Sequence, residues 1–203
     1  MSKEVDVFIS YSRQDSDFVR KLNQALRQRD RDTWVDWQDI PLTTKWWQEI
    51  EAGIEAANTF VFVISPDSIK SEYCGKEVEH AVTFSKRLIP LVWRDVDPEI
   101  WQKTSNRVRN HLTAHQWLFF RHSDDFGAGL EKLLTAIDTD VRYVRNHTRL
   151  LMRAREWESH QRHRDFLLRG NQLGKAREWL TQGLSQAKKA NPRSPAPGIY
   201  QRE

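Results

Sequence analysis

The sequence predicts an α/β domain over residues 1–140, a doubly wound parallel sheet of five strands, followed by an all-helical extension. Three observations carry this. Short apolar runs rich in β-branched and aromatic residues alternate with amphipathic helical stretches, the pattern of parallel β-α-β units. The clearest run, Phe60-Val61-Phe62-Val63-Ile64-Ser65, lacks polar alternation, as a central strand covered on both faces should. Beyond residue 140 no strand-like run occurs, and Leu, Trp and Ala recur at helical spacing.

The first strand is Val5 to Ser10, ending at the turn formers Ser10-Tyr11-Ser12. Asp15 or Ser16 caps the next helix, whose Phe18, Leu22, Ala25 and Leu26 share one face until the charged string from Arg27 to Asp32. Thr33-Trp34-Val35-Asp36 is a short second strand. After a loop with Pro41, Trp46, Ile50, Gly53, Ile54 and Ala57 mark a helix. The third strand is Phe60–Ser65, and residues 66–73 read as a loop. A helix then carries Cys74, Val78, Ala81 and Val82 on one face. Leu88 to Trp93 is a fourth strand, with Pro90 placing it near an edge or a bulge. Gln116 to Phe120 is a fifth, and a helix from Phe126 to Ile137 closes the unit. Residues 141–190 read as two or three helices broken near Gly170-Asn171, and the Pro-rich segment 191–203 reads as a linker after which the natural chain continues.

Composition narrows the function classes. Nine Trp and nine Phe place much of the apolar area in large side chains, which disordered chains lack. No run approaches the roughly 18 apolar residues of a membrane span, and Lys3, Glu4 and Asp6 stand where a signal peptide would be apolar, so a cytoplasmic protein is expected. Cys74 is the only cysteine, which excludes a disulfide scaffold and a multi-cysteine zinc site. His111 with His115, and His160 with His163, lack a third ligand, so no metal site is expected. Residues 1–140 carry 18 Lys and Arg against 23 Asp and Glu, net −5, whereas residues 141–203 carry 14 against 5, net +9. The basic residues are interleaved with apolar helical positions and form no Lys/Arg block, which argues against a nucleic-acid tail.

Ligands of doubly wound sheets sit beyond the carboxyl ends of the strands. Those ends are Ser10-Tyr11-Ser12-Arg13, Asp36 to Leu42, and Ser65 to Tyr73. At these ends the residues resemble a Toll/interleukin-1 receptor (TIR) domain of the NAD-cleaving type. Asp6-Val7-Phe8-Ile9-Ser10-Tyr11-Ser12 with Asp15 is similar to the family's first box, and Val35 to Leu42 to its mobile loop after the second strand. Ser71-Glu72-Tyr73-Cys74-Gly75-Lys76-Glu77 matches the Ser-x-aromatic-Cys-x-x-Glu motif of its NAD-cleaving members. The resemblance spans about residues 4–138. It departs at Thr43, where many family loops carry Gly, and at Tyr73, often Trp. Residues 147–180 are similar to the helical linker that leads to sensor repeats in longer bacterial TIR proteins.

The resemblance implies the flavodoxin-like TIR fold and NAD⁺ glycohydrolase activity, giving nicotinamide and ADP-ribose or a cyclic isomer, as used in bacterial antiphage defence. It also implies self-association through the loop from Trp37 to Thr44. The alternative is a non-catalytic interaction module. Glu77 is the candidate catalytic carboxylate, three residues after Cys74 and beside the apolar stripe through Val78. Candidate substrate-binding residues are Ser10, Tyr11 and Arg13 for a phosphate or ribose, and Asp36 for a ribose hydroxyl. Trp46, Ser71, Tyr73 and Cys74 complete the set. Tyr73 offers a stacking face or a packing residue, and Arg13 a pyrophosphate partner or an ordinary surface cation. Of the adjacent Trp46 and Trp47 only one can face the core fully. Cys74 has no nearby His in sequence to activate it, and reads as packing. No Gly-rich loop follows a strand, so NAD⁺ is expected as substrate and no cofactor is expected.

Overall fold

In the computed structural model, which describes residues 5–37 and 44–189, a parallel sheet is built from β1 (Val5–Ser10), β2 (Thr33–Trp34), β3 (Ala57–Ile64), β4 (Arg87–Val92) and β5 (Leu118–Phe119) in the order β2-β1-β3-β4-β5. β3 is central and buried along its whole length. The helices are α1 (Ser16–Arg27), α2 (Thr44–Ala56), α3 (Pro66–Lys70), α4 (Glu72–Thr83), α5 (Pro98–Lys103), α6 (Asn106–Thr113) and α7 (Phe126–Asp138).

The period of two along each strand sorts the core into two chemically different layers. Val7 and Ile9 of β1, Val61 and Val63 of β3, and Ile89 and Leu91 of β4 face α1 and α7 through Val19, Leu22, Leu26 and Leu133. On the other face Phe8, Phe60 and Phe62 meet Ile50 and Ile54 of α2, Cys74 and Val78 of α4, and Leu112 of α6. Phe8 stacks on Trp34 at 4.6 Å and on Phe60 at 5.4 Å. Burial of both faces explains why β3 shows no polar alternation.

Gly53 of α2 lies over that aromatic stack, and a Cβ there would stand 2.9 Å from the Trp34 ring. Gly53→Ala therefore gains about 1 kcal/mol of helix propensity but forces Trp34 toward Phe8 at about 1–3 kcal/mol. The expected outcome is a net loss of about 1 kcal/mol in urea unfolding. A more stable alanine variant would show that the ring yields freely.

Several boundaries differ from the sequence expectation. β2 stops at Trp34, and Ala57, expected on the helix, opens β3. Residues 66–70 are helical rather than loop, because Pro66 stands at the first helical position and Ser65 and Ser68 form a reciprocal capping box. Segment 94–115 contains α5 and α6, each capped by a side chain, Asp97 and Ser105. Pro90 sits one strand in from the edge; β5 joins β4 only from Leu91, so at Pro90 the strand has the single ladder partner β3. Asp15 precedes α1 without capping it, since its carboxylate is turned into the protein.

The chain divides into two compact units, Met1–Val141 and Arg142–Glu203. The second contains most of α8 (Val141–Ser159) and α9 (Gly170–Lys189), separated by a stretch with one 3₁₀ turn, Arg164–Phe166. Gly170, at φ +50, opens α9, so the break falls before it. Tyr143 and Trp179 stack at 5.0 Å, and the indole N–H donates to the Tyr143 carbonyl at 3.0 Å. Among the described residues no helix is long and apolar enough to cross a membrane.

Candidate active site

β1 ends at Ser10, and the chain turns away through Tyr11 and Ser12, the latter accepting from Gln14 N–H to cap a short 3₁₀ turn. What holds this turn is Asp15. Its fully buried carboxylate accepts from the Ser65 hydroxyl at 2.6 Å and from Arg94 at 2.9 Å, and Arg94 also pairs with Asp67. The carboxyl ends of β1, β3 and β4 are thereby tied to one knot of charge.

Ser71 caps α4 by accepting from Cys74 N–H at 3.3 Å, which explains its place in the motif by helix chemistry. Cys74 faces back to β1 and its thiol donates to the Tyr11 carbonyl at 3.4 Å. Burial pushes that thiol up to about 12, with the Glu77 charge adding to it, so it stays protonated and is no nucleophile. One helical turn later comes Glu77, buried at 8% exposure, whose carboxylate accepts from the Ser10 hydroxyl. Burial raises Glu77 to about 7; the Ser10 hydrogen bond opposes that rise and the Asp36 charge reinforces it.

Asp36 organises the opposite wall. Its carboxylate accepts from the Trp46 indole at 3.1 Å and meets Arg13 at 3.4 Å, while its carbonyl accepts from the Tyr11 hydroxyl at 2.8 Å. Burial, with Asp36 adding, pushes the Tyr11 phenol up to about 12. Trp46 is buried and meets Tyr73 edge-on at 5.4 Å, so Trp46 rather than Trp47 takes the inward position. Tyr73 is 38% exposed, with the Lys76 ammonium 5.4 Å over its ring.

These groups surround a cleft of about 400 Å³ beyond the carboxyl ends of β1 and β2. Tyr11, Arg13, Asp36, Trp46, Ser71, Tyr73, Cys74 and Glu77 all line it. Ser10 does not: it is 1% exposed and lies beneath, against Glu77. Phe8 and Trp34 line the cleft as well, which the sequence reading missed. The period of two could have found Trp34, which stands two residues before Asp36. Of the loop expected to mediate self-association, residues 38–43 lie outside the described residues. Trp37 at its start is 40% exposed, 6.0 Å from the Tyr11 ring and beneath the Arg20 guanidinium. A larger groove of about 680 Å³ runs between the ends of α1 and α7. Its walls are closed by the ion pairs Arg29–Glu131 and Arg31–Asp138, and it contains none of the candidate residues. Among the described residues no three His, Cys, Asp or Glu side chains gather as a metal site.

The family model for the TIR domain matches residues 7–134. Among curated proteins, the chain is 30% identical over 79 residues to TcpO of Methanobrevibacter olleyae, named a probable 2′ cyclic ADP-D-ribose synthase. That match covers 38% of this chain and 23% of the relative. Two proteins named 2′ cyclic ADP-D-ribose synthases match similarly. BtTIR of Bacteroides thetaiotaomicron is 30% identical over 82 residues, covering 40% of this chain and 29% of that one. AbTIR of Acinetobacter baumannii is 29% identical over 98 residues, covering 46% and 36%. The chain thus spans at most 36% of these relatives' own length. Among solved structures, the TIR domain of the Toll-related receptor TRR-2 from Hydra magnipapillata superposes with a TM-score of 0.52 at 23% identity, covering 66% of this chain and 98% of that one. The TIR domains of the activated Roq1 resistosome give 0.51 at 21% identity, covering 64% and 98%. At these identities the superpositions establish the fold alone.

Proposed function

Because this chain belongs to the TIR domain family, we propose that its cleft binds NAD⁺ as a substrate and breaks the bond between nicotinamide and ribose, releasing nicotinamide and ADP-ribose or a cyclic isomer. The observation that carries this reading is Glu77, a buried carboxyl at the base of an aromatic-walled cleft beyond the strand ends. The names of the three relatives point the same way.

Cleavage of this bond passes through an oxocarbenium-like transition state for which ionised Glu77 supplies the opposing charge; the C1′ cation left by nicotinamide is captured by water, which gives up a proton and yields ADP-ribose, or by a hydroxyl of the same molecule, which yields a cyclic isomer. Nicotinamide leaves as a neutral molecule, so no general acid is needed. Because Glu77 ionises near 7, cleavage rises with pH through that value. Trp46 and Tyr73 present ring faces and edges for a base or nicotinamide, and Ser71 and Asp36 accept from ribose hydroxyls. Arg13, half-exposed and 3.4 Å from Asp36, places a guanidinium on the cleft wall where it can pair with a pyrophosphate. NAD⁺ enters as substrate, with no resident cofactor.

Activity in this reading depends on self-association through the loop from Trp37 to Thr44, supported by the exposed Trp37 indole at its start. The resemblance further implies a sensor domain beyond residue 203 and a role in antiphage defence through NAD⁺ depletion. The test is nicotinamide release by the full chain over a wide range of protein concentration. Specific activity is expected to rise more than in proportion, and Leu42→Asp to flatten that rise without unfolding the chain. Assembled protein that releases no nicotinamide at any concentration would leave the non-catalytic interaction module.

A further inference from the structure

We propose that Ser10 is a positioning residue, whose hydroxyl clamps one oxygen of Glu77 and leaves the second for the cleft, and that it makes no contact with the substrate. The proposal rests on the reading of Glu77 as the reacting carboxylate. Ser10 is the last residue of β1, in register with Phe62 of the central strand, so its side chain projects from a strand laddered to the buried middle of the sheet. At 1% exposure it is covered from the cleft that Glu77 lines. Among the described residues Ser10 is the one hydrogen-bond donor to Glu77, and it reaches Oε2 only.

A carboxylate on a helix has rotameric freedom, and a donor on a different element removes it. The bond also decides charge. Of the groups facing Glu77, the Asp36 carboxylate disfavours its ionised form, and Tyr11 and Cys74, both held protonated, bring no positive charge. Ser10 alone among them favours the carboxylate. A hydroxyl that met the substrate would instead be exposed in the cleft wall, and Ser10 is absent from that wall.

The experiment compares Ser10→Ala and Ser10→Thr in the full chain with two readouts. The first needs no substrate: the carboxyl carbon of Glu77 is titrated by NMR in ¹³C-Glu-labelled protein, assigned against Glu77→Gln. Loss of the donor is expected to raise the midpoint by about one pH unit in Ser10→Ala, with Ser10→Thr close to wild type. The second is the pH–rate profile of NAD⁺ cleavage. For Ser10→Ala, kcat at pH 7 is expected to fall about fivefold with KM little changed, its acid limb moving with the NMR midpoint. Should Ser10→Ala not fold, Ser10→Cys keeps the shape with a weak donor and is read the same way. A raised KM with an unmoved midpoint would make Ser10 a substrate contact, and equal impairment of the Ala and Thr variants with an unmoved midpoint would make it packing; either overturns the proposal. If wild-type protein releases no nicotinamide, the functional reading fails by itself, and the midpoint still decides whether Ser10 governs Glu77.

Discussion

Glu77→Gln is expected to lower nicotinamide release on the order of 10³-fold and, at the same time, to make the protein more stable at pH 8. The second half follows from burial. The folded carboxyl ionises near 7 against an ordinary 4.5. Below pH 4.5 both folded and unfolded chains hold the proton, and the group costs nothing. As pH rises through 4.5 to 7, only the unfolded chain ionises, so stability falls. Above pH 7 the whole difference weighs against the fold, about 3 kcal/mol at about 1.4 kcal/mol per pKa unit. Glutamine keeps the shape and an acceptor for Ser10 while removing the charge. Its melting temperature should therefore exceed wild type at pH 8, with the gap closing toward pH 4.5. Wild-type turnover in Glu77→Gln would remove the catalytic assignment, and a pH-independent stability gap would remove the burial account.

Trp46→Ala is expected to cost about 3–5 kcal/mol of stability, the range for deleting a buried large aromatic. Trp46 is 7% exposed, packs in the aromatic layer, meets Tyr73 edge-on and donates to Asp36. One truncation thus removes core packing and a cleft wall together. Trp46→Phe separates the two, since the ring largely remains and the N–H is lost. Its stability should fall by about 1–2 kcal/mol, with KM for NAD⁺ rising more than kcat falls. Urea unfolding and steady-state kinetics on both variants check this. A Trp46→Ala protein with wild-type stability would place the indole outside the core.

Elements whose side chains carry a long period were legible, and those built on short-range backbone chemistry were not. β1 was readable from its β-branched and aromatic run ended by turn formers, and α1 from helical spacing. α3 was not, because Pro66-Asp67-Ser68 has the composition of a turn, and what makes it helical is the Ser65–Ser68 exchange of hydrogen bonds. α5 and α6 are too short to show a period. In the site, Cys74 and Glu77 were placed by their spacing on one helix. The partner of Glu77 was hidden, since Ser10 lies 67 residues away and only the sheet brings them together. Asp15 misled for a related reason: a carboxylate before a helix reads as a cap, but Ser65 and Arg94 offered it better donors.

The cleft draws on residues 11–13, 34, 36 and 46 and on Ser71, Tyr73, Cys74 and Glu77, and the strand that spaces these pieces, β3, gains its second neighbour only when β4 is in place. The knot around Asp15 likewise waits for Arg94. During synthesis, then, no nascent chain shorter than about 94 residues plus the stretch held in the ribosomal tunnel has a finished site. A site assembled from non-local contacts in this way is completed late in synthesis, and as a unit, when those contacts close.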